Sequence, residues 1–214
     1  MALPFPPLYA IFDVAAADPE AKIPEALAES GIQLIQLRDK LSSARAIFAA
    51  TKSLVARLSP KGVRVIVNDR PDIAAMAGAG GVHVGQDDLP VEAARTCCGA
   101  DMWVGVSTHN LEQFELAAHT SADYIAVGPV FATATKENPD PVVGLELLRE
   151  ARRLTRKPLV AIGGVTIESA ESVYRAGADS IAVISDLLSA PDPVQRAREY
   201  LEIARRARSA HEAQ

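Results

Sequence analysis

Short apolar, β-branched runs alternate along the chain with longer stretches in which Ala and Leu recur at helical spacing among Glu and Arg. The short runs predict strands over Leu8–Asp13, Ile32–Arg38, Val63–Val67, Gly81–Val84, Trp103–Val106, Asp123–Val127, Pro158–Ile162 and Asp179–Ile184. The longer stretches predict helices over Pro19–Ser30, Ser43–Leu58, Pro71–Ala77, Pro90–Cys97, Asn110–His119, Gly144–Leu154, Ile167–Ala176 and Pro193–Arg208. Alternation at this spacing implies parallel βαβ units. Eight of them in 214 residues predict closure into a (β/α)8 TIM barrel, an α/β fold, at the small end of its size range. A doubly wound open sheet is the alternative, but the GxGxxG phosphate fingerprint after the first strand is absent. No linker or low-complexity segment interrupts the pattern. One domain is therefore expected over residues 1–214, ending in a last helix and tail from about 193 to 214.

The helix boundaries have local causes. Pro19, Pro71 and Pro90 sit where a first-turn proline costs no hydrogen bond. Ser43 and Asn110 carry short oxygen-bearing side chains that can satisfy an orphan N–H at a helix start. Gly31, Gly78 and Gly177 follow helical stretches where a left-handed cap favours glycine.

Composition narrows the function. Hydrophobic residues make up 49% and charged residues 23%, ordinary values for a folded chain. A globule of this size buries about 70% of its unfolded surface, so no disulfide framework is needed. The net charge is −5, without the basic surplus that a nucleic-acid-binding surface carries. No apolar run approaches the ~18 residues of a membrane helix, and the first residues, MALPFPPLYAIFD, do not read as a secretory signal. Cys97 and Cys98 are adjacent, so they cannot join distant segments, and they lack zinc-site spacing. A cytoplasmic setting is expected, with both thiols structural.

Chemistry collects where such a barrel places it, at the C-terminal ends of the strands. Gln36, Arg38 and Lys40 are spaced i, i+2, i+4 and project to one side while the chain stays extended, with Ile35 and Leu37 on the other. An amide and two cations at the mouth suit an extended polyanion such as a diphosphate; the bland reading is surface charge at a loop entry. Asn68, Asp69 and Asp88 follow adjacent strands. Carboxylates opposite phosphate-binding cations make sense around a hard divalent ion such as Mg2+, which takes one or two protein carboxylates and fills its shell with phosphate oxygens and water. Each aspartate alone could equally be a cap or turn residue.

Ser107, Thr108 and His109 end the fifth strand. The longest loop, from Gly128 to about Val143, holds Thr133, Ala134, Thr135 and Lys136, which could fold over a bound anion as a lid. Gly163 and Gly164 after the seventh strand, with Ile184 and Ser185 after the eighth, occupy the place where such barrels often hold a phosphate. His83 alternates with Val82 and Val84 and reads as a hydrogen-bonded histidine inside the barrel. His109 could cap a helix or act as an acid or base, while His119 and His211 read as surface residues.

Seven segments in order carry a family resemblance: QLRDK (Gln36–Lys40), VNDRPDIA (Val67–Ala74), GVHVGQDDLP (Gly81–Pro90), GVSTHN (Gly105–Asn110), DYIAVGPVFATATK (Asp123–Lys136), VAIGGV (Val160–Val165) and GADSIAVIS (Gly177–Ser185). From Leu8 to about Leu188 the chain resembles the thiamine-phosphate synthases. The resemblance implies an enzyme, a transferase joining hydroxymethylpyrimidine diphosphate to hydroxyethylthiazole phosphate, with release of pyrophosphate and formation of thiamine phosphate. It implies that Gln36, Arg38, Lys40, Asn68 and Lys136 grip the diphosphate, and that Asp69 and Asp88, rather than Asp87, bind Mg2+. Ser107 would stand near the pyrimidine and its departing diphosphate. Thr133, Thr135, Gly164, Ile184 and Ser185 would receive the thiazole and its phosphate. Arg38, Lys40, Ser107 and Lys136 are thus the catalytic candidates. Two alternatives stand beside this reading: a thiazole tautomerase on the same barrel, with His109 shuttling a proton, and a barrel that senses thiamine or phosphate without catalysis. Assembly into a homo-oligomer stays open.

Overall fold

The structure, a computed structural model, describes residues 5–14, 22–133 and 140–212. Its strands form a closed parallel barrel in sequence order. They are β1 (Leu8–Asp13), β2 (Leu34–Arg38), β3 (Arg64–Asn68), β4 (Gly81–Val84), β5 (Trp103–Thr108), β6 (Tyr124–Val127), β7 (Leu159–Ile162) and β8 (Ser180–Val183). The helices are α1 (Ile23–Glu29), α2 (Ala44–Leu58), α3 (Pro71–Ala77), α4 (Val91–Cys98), α5 (Leu111–Ala118), α6 (Gly144–Leu154), α7 (Ile167–Arg175), α8 (Ser185–Leu188) and α9 (Pro193–Glu212). β1 pairs with β8 as well as β2, which closes the ring. The expected barrel is the observed fold.

Two-residue alternation along each strand sorts the side chains into two cores. Ala10, Phe12, Ile35, Leu37, Val65 and Val67 face outward and pack beneath the helices. Tyr9, Ile11, Leu34, Ile66, Tyr124, Ala126, Val160 and Ala182 fill the barrel itself. At the N-terminal end Phe5 stacks on Trp103 with ring centroids 5.1 Å apart, and the Arg64 guanidinium lies 4.0 Å from the Trp103 ring centre. Aromatic surface and a cation therefore plug the end opposite the expected site.

Local signals behave as expected at several ends. Ser43 accepts the Ala46 N–H at 3.3 Å and Asn110 accepts the Gln113 N–H at 2.9 Å, so both cap their helices. Pro71 opens α3. Pro90, however, precedes α4 in extended backbone and is its cap residue rather than its first helical one. Pro19 lies outside the described residues, and α1 begins only at Ile23, with Pro24 in its first turn. β5 runs two residues further than the hydrophobic run, because Ser107 and Thr108 keep pairing with β6. A short helix unseen in the apolar pattern, α8, starts directly after β8. Cys97 is exposed and Cys98 buried, and both are free thiols.

Candidate active site

The C-terminal strand ends open into a cleft of about 1210 Å3. Sites for single drug-sized ligands run to roughly 300–1,000 Å3, so the cleft lies just above that range. Gln36, Arg38 and Lys40 all line it, as their spacing predicts. Gln36 is buried on the floor, Arg38 half-buried on the wall and Lys40 exposed at the rim.

Neither cation stands alone. The register of β1 and β2 sets Asp13 beside Arg38, and Arg38 Nη1 donates to Asp13 Oδ2. Lys40 Nζ lies 3.2 Å from Asp69 Oδ2. The two cations expected at the mouth are thus each paired with a carboxylate. Asp13 has no sequence signal of its own; only cross-strand register reveals it.

Asn68 ends β3 and lines the cleft, and Asp69 follows in left-handed backbone at φ +62°. The Asp69 N–H donates to the His83 carbonyl at 2.8 Å, which turns the chain across the end of β4. Asp88 Oδ2 accepts the Gly85 N–H at 2.8 Å and closes the turn after β4. The two carboxyl groups meet here. Burial, and then the adjoining Asp88 carboxyl, push the Asp69 carboxyl above the usual range, with Lys40 acting in the opposite direction. Among the described residues, no group of three or more His, Cys, Asp or Glu side chains is placed to hold a metal. An ion needing only one or two protein carboxylates fits the pair; an all-protein cage does not.

Ser107 Oγ lies 2.8 Å from His83 Nε2, and His83 Nδ1 lies 3.1 Å from the Tyr124 hydroxyl. That hydroxyl is 3.0 Å from the hydroxyl of Tyr9, which accepts from Gln36 Nε2 at 2.7 Å. A continuous polar chain therefore crosses the barrel floor from β5 to β2. Burial holds the His83 imidazole down to a pKa of about 4, so it is neutral near pH 7. His83 is the buried, bonded histidine that alternation predicts, and it also supports Ser107. The packing is tight: a methyl group on Gly105 would overlap the Tyr124 ring.

On the other wall, His109 Nδ1 lies 2.6 Å from the Gly128 carbonyl and 3.7 Å from Asp140 Oδ2. Its ring lines the cleft, whereas the cap of α5 is Asn110. Thr133 also lines the cleft; Thr135 and Lys136, and with them most of the expected lid, lie outside the described residues. Gly163 and Gly164 adopt left-handed backbone, and a Cβ on Gly164 would strike the backbone of Phe131 and Ala132. Glycine is needed there for conformation and for space. Ile184 and Ser185 line the cleft beside them, where α8 begins. The expected site residues that the structure describes thus surround one cleft. Besides Asp13, sequence reasoning missed Tyr9; Gln86, just after the fourth strand, also lines the cleft, and its side chain donates to the Ser107 carbonyl at 2.6 Å.

Known proteins match this chain along most of its length. A family model described as thiamine monophosphate synthase matches residues 8–187. A thiamine-phosphate synthase of Koribacter versatilis is 51% identical over 207 residues, covering 94% of this chain and 97% of the relative. One from Roseiflexus castenholzii is 41% identical over 208 residues, covering 94% and 91%. The solved thiamine phosphate pyrophosphorylase of Pyrococcus furiosus superimposes with a TM-score of 0.86 at 32% identity, covering 94% of this chain and 96% of that one. Barrel, cleft and sequence agree, and the chain belongs to the thiamine monophosphate synthase family.

Proposed function

We propose that this protein condenses hydroxymethylpyrimidine diphosphate with hydroxyethylthiazole phosphate, giving thiamine phosphate and pyrophosphate. One observation carries the reading beyond family membership. Gln36 on the floor, Arg38 and Asn68 above it and Lys40 at the rim lie on one side of the cleft with the facing carboxylates Asp69 and Asp88, while Gly164, Ile184 and Ser185 line another side. That separation supports two distinct places for two anionic substrates.

In the reaction, the C–O bond between the pyrimidine methylene and the diphosphate breaks, and the bonding electrons leave with pyrophosphate. The electron-rich pyrimidine ring stabilises the methylene cation, and the thiazole nitrogen donates its lone pair to form the new C–N bond. No general base is required. Arg38 and Lys40 stabilise charge building on the leaving group, and Asp13 holds the Arg38 guanidinium in position. Ser107, supported by His83 from below, offers a hydroxyl between the pyrimidine and the diphosphate. By the family resemblance, Lys136 would add a third cation, and Thr133 and Thr135 would receive the thiazole phosphate. A site shielded from water would keep the cation from being trapped before the thiazole nitrogen attacks.

Asp69 and Asp88 are the residues that would hold Mg2+. Their hard oxygens and their mutual repulsion fit a divalent ion, which when bound supplies Lewis-acid neutralisation of pyrophosphate oxygens. A cytoplasmic location agrees with the two free thiols. The test is direct: purified protein with both substrates and Mg2+ should yield thiamine phosphate and pyrophosphate in equal amounts. Binding of both substrates without product would refute the reading.

A further inference from the structure

At the cleft wall formed by Gly164 and Ser185 stands a polar cluster that none of the expected site residues belongs to; Asp186 and Arg196 line the cleft themselves, and Tyr200 lies behind them. Asp186, next to Ser185 in α8, accepts two hydrogen bonds on one carboxylate oxygen. Arg196 Nη1 is 2.8 Å away and the Tyr200 hydroxyl 2.7 Å. Both donors come from α9, after the last barrel strand. Tyr200 is wholly buried, and its hydroxyl also lies 3.4 Å from the Val165 carbonyl, one residue beyond Gly164. A single buried hydroxyl therefore touches both loops of this wall. Arg196 is further steadied by Glu199, 3.3 Å from its Nε.

The arrangement is costly unless it does something. The Tyr200 hydroxyl is out of water and the Asp186 carboxylate largely so; Tyr200 is repaid by Asp186 and the Val165 carbonyl, and Asp186 by Tyr200 and Arg196. An apolar contact between α8 and α9 would hold the helices together without that cost. What an apolar contact cannot do is fix direction. Two charge-assisted hydrogen bonds on one oxygen set where Asp186, and so the adjoining Ser185, stands relative to Gly164. The paired carboxylates also leave Arg196 little unbalanced charge, so the cluster fits a support better than an anion grip.

We infer that Tyr200 and Arg196 are positioning residues which, through Asp186, hold the Gly164 and Ser185 loops in register for the phosphate ester of the thiazole substrate. The inference rests on the proposed function, since it assumes that this wall receives that phosphate. Neither residue touches the reacting atoms. Their effect falls on one substrate only.

The experiment is steady-state kinetics with each substrate varied in turn, on the wild type and on Tyr200→Phe, Arg196→Met and Asp186→Asn. Each variant should raise KM for thiazole phosphate roughly tenfold, while KM for the pyrimidine diphosphate and kcat at saturation stay within about twofold. Arg196→Lys should recover part of the loss, because it keeps one donor. Tyr200→Phe alters a single atom, and calorimetric binding of thiazole phosphate to it gives a second reading of the same effect without turnover. Equal increases in both KM values would reduce the cluster to general support of the fold, and unchanged values would remove its role altogether; either result overturns the inference. A wild type that turns over normally beside such variants leaves the proposed function standing. A wild type that makes no thiamine phosphate removes both.

Discussion

Ser107 and His83 are joined at 2.8 Å between Oγ and Nε2, and this contact ends a chain of buried polar groups. Gln36 donates to Tyr9, so the Tyr9 proton is free to reach Tyr124, and that of Tyr124 to reach His83 Nδ1. Running the donors in one direction satisfies each atom once. It places the imidazole proton on Nε2, facing Ser107, and leaves the serine proton available to the cleft. Tyr124→Phe breaks the chain at its centre and leaves buried partners unpaired, at about 1–3 kcal/mol. Urea denaturation should show that loss, and turnover should fall with it because Ser107 loses its orientation. Gly105→Ala should act the same way by displacing the Tyr124 ring.

The buried imidazole has a consequence for pH. His83 titrates near pH 4 in the folded protein, below the ordinary value of 6.5, because burial disfavours the charged form. As pH falls below 6.5 the unfolded chain takes up a proton that the folded one refuses. Stability from this group is therefore intact above about pH 6.5, declines as pH falls through about pH 4, and levels off below. Denaturation midpoints measured from pH 7 to pH 4 should fall less steeply for His83→Asn than for the wild type. A nitrogen spectrum of the wild-type imidazole should show a neutral ring with Nε2 protonated at pH 6.

Arg38→Ala removes a cation from the wall proposed to take the diphosphate and takes one partner from Asp13. Loss of one such electrostatic contact typically lowers kcat by about 10²–10³. Asp13→Asn leaves the charge of Arg38 in place but frees the side chain, so its kcat should fall by less. Single-turnover rates on both variants, with pyrimidine diphosphate saturating, check the order.

Alternation along the strands was enough to read the barrel, the cleft and the inward row of Gln36 and Arg38, because a two-residue period is a local property. What adjoins that row was not legible. Asp13 meets Arg38 and Tyr124 meets His83 through barrel register, and register depends on the whole closed sheet. α8 was missed because four residues are too few to show a helical period. Lys136 lies outside the described residues and rests on its place in the longest loop and on the family resemblance. Lys136→Ala should slow turnover by orders of magnitude while its circular dichroism matches the wild type; near-normal rates would take Lys136 out of the mechanism.

The central claim is that the rim draws a negatively charged leaving group from carbon with a divalent ion held at Asp69 and Asp88. Its most direct measurement is pyrophosphate release by metal-stripped protein given both substrates, before and after Mg2+ is added back, alongside Asp69→Ala. Release should be absent without the ion, return on its addition, and stay low in the variant at any practical Mg2+ concentration. Undiminished release from the stripped protein would contradict the account.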